Sequence, residues 1–130
     1  MPLKKVLVVD DEVHIVHVVA IKLRNNGYEA IVAGNGAEAY ELATKEKPDI
    51  IIADYMMPVM SGLELIEKLR GTEKTKDIPV ILLTARNFAI DDEKQQQLHI
   101  SQCITKPFSP KELLRIIEDV IYQGQVIGQT

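Results

Sequence analysis

Three short apolar runs constrain the fold of this chain more than any other feature. They cover residues 5–9 (KVLVV), 49–53 (DIIIA) and 79–84 (PVILLT). Because side chains alternate between the two faces of a strand, apolar residues at consecutive positions indicate burial on both faces, as in a parallel sheet. Residues 28–33 (YEAIVA) alternate in part and predict an edge strand, while residues 101–105 (SQCIT) are the weakest candidate for a fifth strand.

Segments with helix-forming sequence lie between and after these runs. They cover residues 12–25, 36–46, 61–70, 87–98 and 109–122. Five alternations of strand and helix with short connections predict an α/β fold, a doubly wound parallel sheet with right-handed crossovers. We expect one domain over residues 1–122, because a chain of 130 residues suffices for a single core, and a tail or linker stub over 123–130.

The first helix carries two apolar rows. The row predicted to face the core consists of Ile15, Val18, Val19 and Leu23. The second row consists of Val13, Val16 and Ala20. Two interpretations of this second row stay open: incidental apolar surface, or a docking patch for a partner protein that includes His17. His14 and His17 are assigned to solvent or partner contact, since a typical metal site needs three or four convergent groups.

The fourth helical segment, residues 87–98, has the weakest pattern of the five. It has no apolar row after Ile90, and a helix without such a row gains little from tertiary packing. We therefore expect a short, displaced or mobile fourth helix.

Charge and composition narrow the function classes. The net charge of −4 argues against direct binding to nucleic acid or to an anionic membrane, because both favour a basic face. No stretch approaches the ~20 consecutive apolar residues of a membrane helix, and the first apolar run is too short for a signal peptide. We expect a cytoplasmic protein that is a monomer or a weak dimer. Its one cysteine, Cys103, fits a reducing compartment.

Polar side chains follow the apolar runs where each run ends. They are Asp10 and Asp11 after the first run, Asp54 after the second, Thr84 closing the third, and Lys106 just past the fifth candidate strand. Because the carboxyl ends of parallel strands share one edge, with neighbouring strands ~4.8 Å apart, we expect these side chains to converge. The sequence therefore predicts a site at this edge.

The charges of this set indicate a metal. Neighbouring carboxylates raise each other's pKa and repel one another unless a cation offsets their charge. Asp10, Asp11 and Asp54 carry three negative charges, which Lys106 and a divalent ion would neutralise. Ligands that are all oxygen favour Mg²⁺. A carboxylate nucleophile, a metal, a cation and a fixed hydroxyl together suit phosphoryl transfer.

These residues resemble the receiver domain of two-component response regulators. The matching segments are VVDDE (8–12), DYMMPVMSG (54–62), LLTA (82–85) and KPF (106–108), in the order of the family. The resemblance implies a flavodoxin-like (βα)5 fold with strand order 2-1-3-4-5. It also implies a cis peptide bond before Pro107, where the tertiary amide makes that isomer accessible.

The resemblance further implies a role for each residue of the set. Asp54 would accept a phosphoryl group from the phosphohistidine of a sensor histidine kinase or a histidine phosphotransfer protein. The cofactor would be Mg²⁺, and Thr84 and Lys106 would contact the phosphoryl oxygens. The metal ligands would be Asp10, Asp11, Asp54 and the backbone carbonyl of Met56. Glu12 is assigned instead to the N-terminus of the first helix, where the helix dipole favours an acid.

Two positions depart from the family pattern or vary within it. Cys103, three residues before Lys106, stands where the family usually has Tyr or Phe as a rotamer switch, so the coupling of phosphorylation to an output face is open. Arg86, two residues after Thr84, stands at a position that modulates the lifetime of the acyl phosphate in the family.

Two other functions stay open on the sequence alone. An aspartate-nucleophile phosphatase also has a doubly wound sheet and Mg²⁺, but its nucleophile lies in an Asp-x-Asp pattern after the first strand, where this chain has Asp10-Asp11-Glu12. A pseudo-receiver that only binds partners is the other alternative, and the complete set of acids, hydroxyl and amine argues against it. The receiver interpretation is a signalling module rather than a turnover enzyme, since it would catalyse only its own phosphorylation and dephosphorylation.

Overall fold

Strands and helices alternate along the chain as the apolar runs predict. The computed structural model describes residues 3–85 and 90–129, with side chains described up to residue 122. The elements are β1 (Lys5–Val9), α1 (Val13–Asn25), β2 (Glu29–Ala33), α2 (Gly36–Glu46), β3 (Ile50–Asp54), α3 (Gly62–Arg70), β4 (Val80–Thr84), α4 (Asp92–Gln97), β5 (Ile100–Thr105) and α5 (Pro110–Gln129). Each predicted strand is therefore present, to within one residue at each end.

The five strands form one parallel sheet in the order β2-β1-β3-β4-β5. This is the predicted flavodoxin-like order, and β2 lies at an edge as its partial alternation indicates. The register places Val9 opposite Ala53, Asp54 opposite Leu83, and Thr84 opposite Thr105. The carboxyl ends of β1, β3, β4 and β5 are thus aligned at one edge of the sheet.

Both faces of the sheet are buried, which explains the uninterrupted apolar runs. In β1, Val6 and Val8 belong to a core that contains residues of α1 and α5. Leu7 and Val9 belong to a second core that contains residues of α2 and α3. A strand that serves two cores needs an apolar residue at every position.

The orientation of α1 differs from the prediction. The residues it buries are Val16, Val19, Ala20 and Leu23. Val18 is 49% exposed, so the prediction that it faces the core was wrong, and Ile15 is only partly buried. Both rows of α1 are apolar, so periodicity could not select between them, and the small side chain of Ala20 lets the helix lie close to the sheet. The predicted docking patch was wrong for Val16 and Ala20, which are buried, whereas Val13, His14 and His17 are exposed.

The last two helices differ from each other in length. The fourth is short, as predicted: α4 has six residues and none of them is buried. The fifth begins at Pro110 after Ser109, whose Oγ accepts a hydrogen bond from the Glu112 backbone N–H at 3.3 Å, as its capping sequence predicts. It continues to Gln129 rather than ending at residue 122. Among the described residues, no helix is both long and apolar enough to cross a membrane.

Candidate functional site

Three polar side chains are buried at the carboxyl edge of the sheet. Asp54 is the last residue of β3, Thr84 is the last residue of β4, and Asp10 directly follows β1. Each is exposed by 5% or less, although burial of polar groups is costly unless they are paired. The structure therefore brings these predicted site residues together, and their pairing partners define the site.

Lys106 is the cation that pairs with these acids. Its Nζ donates hydrogen bonds to Asp10 Oδ2 at 2.9 Å and to Glu12 Oε1 at 3.0 Å, and it lies 3.3 Å from Asp54 Oδ2. The Lys106 backbone N–H donates to the Thr84 carbonyl oxygen at 2.7 Å, which fixes the residue just past β5. The Lys106–Pro107 peptide bond is cis, as predicted.

The loop after β3 passes close to the backbone of Asp54. A Cβ atom at Gly62 would lie 2.5 Å from the Asp54 carbonyl oxygen, so only glycine fits there. The Gly62 N–H donates to the Tyr55 carbonyl oxygen at 2.9 Å, and Ser61 forms a capping box with Glu64 at the start of α3. This turn fixes the position of Asp54.

The charges of the site act on one another strongly. Burial, followed by the negative charge of Asp10, raises the pKa of Asp54 from its ordinary value of 3.8 to about 6, although Lys106 opposes the rise. Burial alone would lower the pKa of Lys106, but hydrogen bonds to Asp10 and Glu12 and the nearby charges raise it well above its usual range. Lys106 therefore stays charged, while three acids face one ammonium group and leave an excess of negative charge.

The carboxylates are suited to a divalent cation. Asp10, Glu12 and Asp54 each offer a carboxylate oxygen, and these oxygens lie within 4.8 Å of one another. An all-oxygen set of this kind fits Mg²⁺. The side chain of Asp11 is exposed and is not a member of this group, and the side chain of Met56 is exposed as well.

Glu12 is the site residue that sequence reasoning missed. It precedes α1 as the N-cap residue but makes no side-chain capping hydrogen bond. Its carboxylate points instead to Lys106, 94 residues away in the chain. Its position beside Asp10 and Asp11 was the one sequence signal for a role in the site. A favourable interaction with the dipole of α1 explained an acid at this position equally well.

Of the two positions that depart from the family pattern or vary within it, Cys103 and Arg86, the structure describes only Cys103. Cys103 is a half-buried free thiol that packs against the core beneath α2 and α3, and burial raises its pKa, which favours the unreactive thiol form. Arg86 lies outside the described residues.

An apolar groove lies beside the site. It has a volume of about 570 Å³ and is formed by α1 and the loop after β5. Its lining includes Ile15, Val18, Pro107 and Phe108, with Glu12 and Lys106 at the end nearest the acids. Val18, which is 49% exposed, is thus part of the lining of this groove.

A protein-family model matches most of this chain, and several characterised proteins are similar to it in sequence. Residues 6–118 match the family model of the response regulator receiver domain. The chain is 42% identical over 120 residues to the phosphate regulon transcriptional regulatory protein PhoB of Pseudomonas aeruginosa, covering 91% of this chain and 52% of that protein. It is 36% identical to the alkaline phosphatase synthesis transcriptional regulatory protein PhoP of Bacillus subtilis, covering 95% of this chain and 50% of that protein.

Comparison with solved structures indicates the same family as the sequence comparison. The chemotaxis response regulator CheY4 of Vibrio cholerae superimposes with a TM-score of 0.84 and 34% identity, covering 92% of this chain and 99% of that chain. The chain spans about half the length of the curated relatives it matches.

Proposed function

This chain belongs to the response regulator receiver domain family, and from that premise we propose that Asp54 is its phosphoacceptor, with Thr84 and Lys106 as its phosphoryl-binding residues. The observation that carries the proposal is the position of Asp54. It is a buried carboxylate at the end of β3, paired with Lys106 and adjacent to Asp10. A carboxylate held in this way has a lysine 3.3 Å away that can bind a phosphoryl group, and Thr84 ends the neighbouring strand, where its hydroxyl donates to the Ile104 carbonyl oxygen at 3.4 Å.

The reaction follows from the properties of these side chains. With a pKa of about 6, Asp54 is largely ionised at neutral pH, and a carboxylate oxygen attacks the phosphorus of a phosphohistidine. A P–O bond forms and the P–N bond breaks, and the imidazole nitrogen leaves with the electron pair and takes up a proton. The Lys106 ammonium and the Thr84 hydroxyl donate hydrogen bonds to the phosphoryl oxygens.

The proposal includes Mg²⁺ as cofactor. Asp10 and Asp54 would hold it through their carboxylates, with Asp11 and the backbone carbonyl of Met56 completing the set that the family resemblance implies. When bound, the metal neutralises charge on the phosphoryl oxygens. The three carboxylates and one ammonium group of the site already support a requirement for a divalent cation.

Phosphorylation by a small donor tests this function. We expect the protein incubated with Mg²⁺ and phosphoramidate to gain the mass of one phosphoryl group, and Asp54→Asn to gain none. Asp119→Asn, which changes an exposed acid on α5, is the matched control and is expected to behave as wild type. Repeated turnover of the donor would support the phosphatase alternative, and a wild-type protein that gains no mass would support the pseudo-receiver.

We further propose that the kinase or phosphotransfer protein docks in the apolar groove between α1 and the loop after β5. The groove ends at Lys106 and Glu12, so a helix seated in it would hold its histidine near Asp54. His14 of α1 lines this groove and is exposed, and Val13 and His17 are exposed on the same helix. This surface replaces the patch predicted from Val16 and Ala20.

Selective loss of protein-dependent transfer tests the docking surface. We expect Val18→Glu to slow transfer from a phosphorylated histidine phosphotransfer domain by tenfold or more and to leave labelling by phosphoramidate unchanged. Ile21→Glu is the control, because Ile21 lies on the same helix, is 56% exposed against 49% for Val18, and is outside the groove lining. Equal slowing by both donors, or by both variants, would contradict this surface.

The remaining proposals concern partners and location. PhoB and PhoP are named as transcriptional regulatory proteins, but this domain has a net charge of −4, so we propose no direct contact with nucleic acid. The domain would be a monomer or a weak dimer in the cytoplasm, where a kinase supplied with ATP and its acceptor must meet. Its catalysis would extend only to its own phosphorylation and dephosphorylation.

A further inference from the structure

Lys106 divides its hydrogen bonds unequally among three acids. An ammonium group has three N–H donors. The two shortest contacts go to Asp10 and Glu12, at 2.9 and 3.0 Å, and the contact to Asp54 is longest, at 3.3 Å. In this structure the ammonium is therefore held mainly on the α1 side of the site.

The two acids that hold Lys106 differ in their freedom to move. The Asp10 side chain is fully buried, and its other oxygen accepts a hydrogen bond from the Glu12 backbone N–H at 3.0 Å. The Glu12 side chain is 46% exposed and has no capping role on α1. Release of Lys106 from Glu12 returns a carboxylate to water, whereas release from Asp10 strands a buried charge.

We propose that Glu12 is a positioning residue that competes with the phosphoryl group for Lys106. The inference depends on the proposed function, in which Lys106 binds phosphoryl oxygens on Asp54. In the unphosphorylated domain Glu12 occupies one of the three N–H donors of the Lys106 ammonium, and on phosphorylation this bond is the one that breaks. Glu12 thereby lowers the stability of the phosphorylated state and sets how readily Lys106 moves toward it.

Beryllofluoride, a phosphoryl mimic, tests this role in the full chain. In saturating Mg²⁺, we expect Glu12→Gln to lower the half-saturating beryllofluoride concentration by about three- to fivefold, as expected for loss of a partly exposed ion pair. The readout is the amide resonances of Thr84 and Lys106 in NMR spectra. Glu46→Gln is the matched control, because Glu46 forms a partly exposed ion pair with Lys5 at 3.3 Å, at the opposite edge of the sheet.

A double-mutant cycle separates competition for Lys106 from simple repulsion. Removal of any negative charge near an anion tightens binding, with or without Lys106. If Glu12 acts through Lys106, the gain from Glu12→Gln must disappear in a Lys106→Gln background. A gain of the same size in that background would overturn the inference.

The outcomes also separate this inference from the proposed function. If the wild-type protein shows no saturable binding of beryllofluoride, both fail. If it binds but Glu12→Gln leaves the half-saturating concentration unchanged, only the inference fails. Weaker binding of both beryllofluoride and Mg²⁺ by Glu12→Gln would overturn it in favour of Glu12 as a metal ligand.

Discussion

Burial of the ionised Asp54 carboxylate beside Asp10 lowers the stability of the folded domain. The rise of its pKa from 3.8 to about 6 means that the folded domain binds more protons than the unfolded chain between these values. Stability from this group is therefore complete below about pH 4 and is lost as the pH rises through 6. The site keeps the Asp54 carboxylate ionised at neutral pH at the expense of folding stability.

Asp54→Asn is expected to stabilise the metal-free domain at neutral pH. The pKa change corresponds to about 3 kcal/mol, and solvent screening at a partly open site reduces the expected gain to about 1–2 kcal/mol. Lys106 keeps Asp10 and Glu12 as partners in this variant. Urea unfolding at pH 7 and at pH 4 measures the effect, which should be small at pH 4. A gain of equal size at both values would contradict the assignment.

Val59 is a second residue at which the site edge is strained. It is β-branched, fully exposed, and has φ of +71°, a left-handed conformation that valine rarely adopts. Asparagine tolerates this conformation, so Val59→Asn should raise the free energy of unfolding by about 1 kcal/mol. Val18→Asn, at an exposed position in regular helix, should give no comparable gain. A fall in stability for Val59→Asn would show that the loop has another conformation in solution.

At the scale of elements, α4 differs from α1, α2 and α3 in that none of its own side chains is buried. Its flanking residues Ile90 and Leu98 are 8% exposed, while none of the six helical residues is buried. Arg70 of α3 anchors the following turn independently of the helix, since its guanidinium donates to the carbonyl oxygens of Leu98 and Ile78 at 2.8 Å. The start of β5 can therefore keep its register while α4 opens.

Hydrogen exchange is expected to reveal this difference between helices. The amides of Gln95 and Leu98 each donate to a carbonyl four residues back, at 3.0 and 3.1 Å, as the Leu113 amide of α5 does at 2.9 Å. Since α4 lacks buried residues, we expect the first two amides to exchange about two orders of magnitude faster than that of Leu113. Equal protection at all three positions would show that α4 is as stable as α5.

The sequence predicted elements well where one requirement dominated. The three central strands, β1, β3 and β4, had to be apolar at almost every position, and Ser61 and Ser109 marked the starts of two helices through capping. The face of α1 was mispredicted because both of its rows are apolar and only packing against the sheet selects Val16 over Val18. The Glu12 contact could not be predicted, because it depends on where a lysine 94 residues away reaches the same edge.

At the scale of the whole molecule, the site joins elements that are far apart in the chain. Asp10, Asp54, Thr84 and Lys106 follow or end four different strands, and each is positioned by the register of one sheet. A cation bound there contacts only the folded arrangement, since the unfolded chain separates these residues. In the proposed magnesium complex, metal binding and folding would therefore be coupled across the entire domain.

Mg²⁺ is expected to raise the melting temperature of the domain through this coupling. At ten times its Kd, a ligand that binds only the folded state adds about 1.4 kcal/mol, or about 5 °C for a domain of this size. Asp10→Asn should lose most of this increase, because it removes a buried carboxylate of the cluster. Differential scanning fluorimetry with MgCl₂ against NaCl of equal ionic strength separates binding from screening of the acidic surface. If both salts raise the melting temperature equally, in wild type and in Asp10→Asn alike, the edge of the sheet is not a divalent cation site, and the acids there are balanced by Lys106 alone.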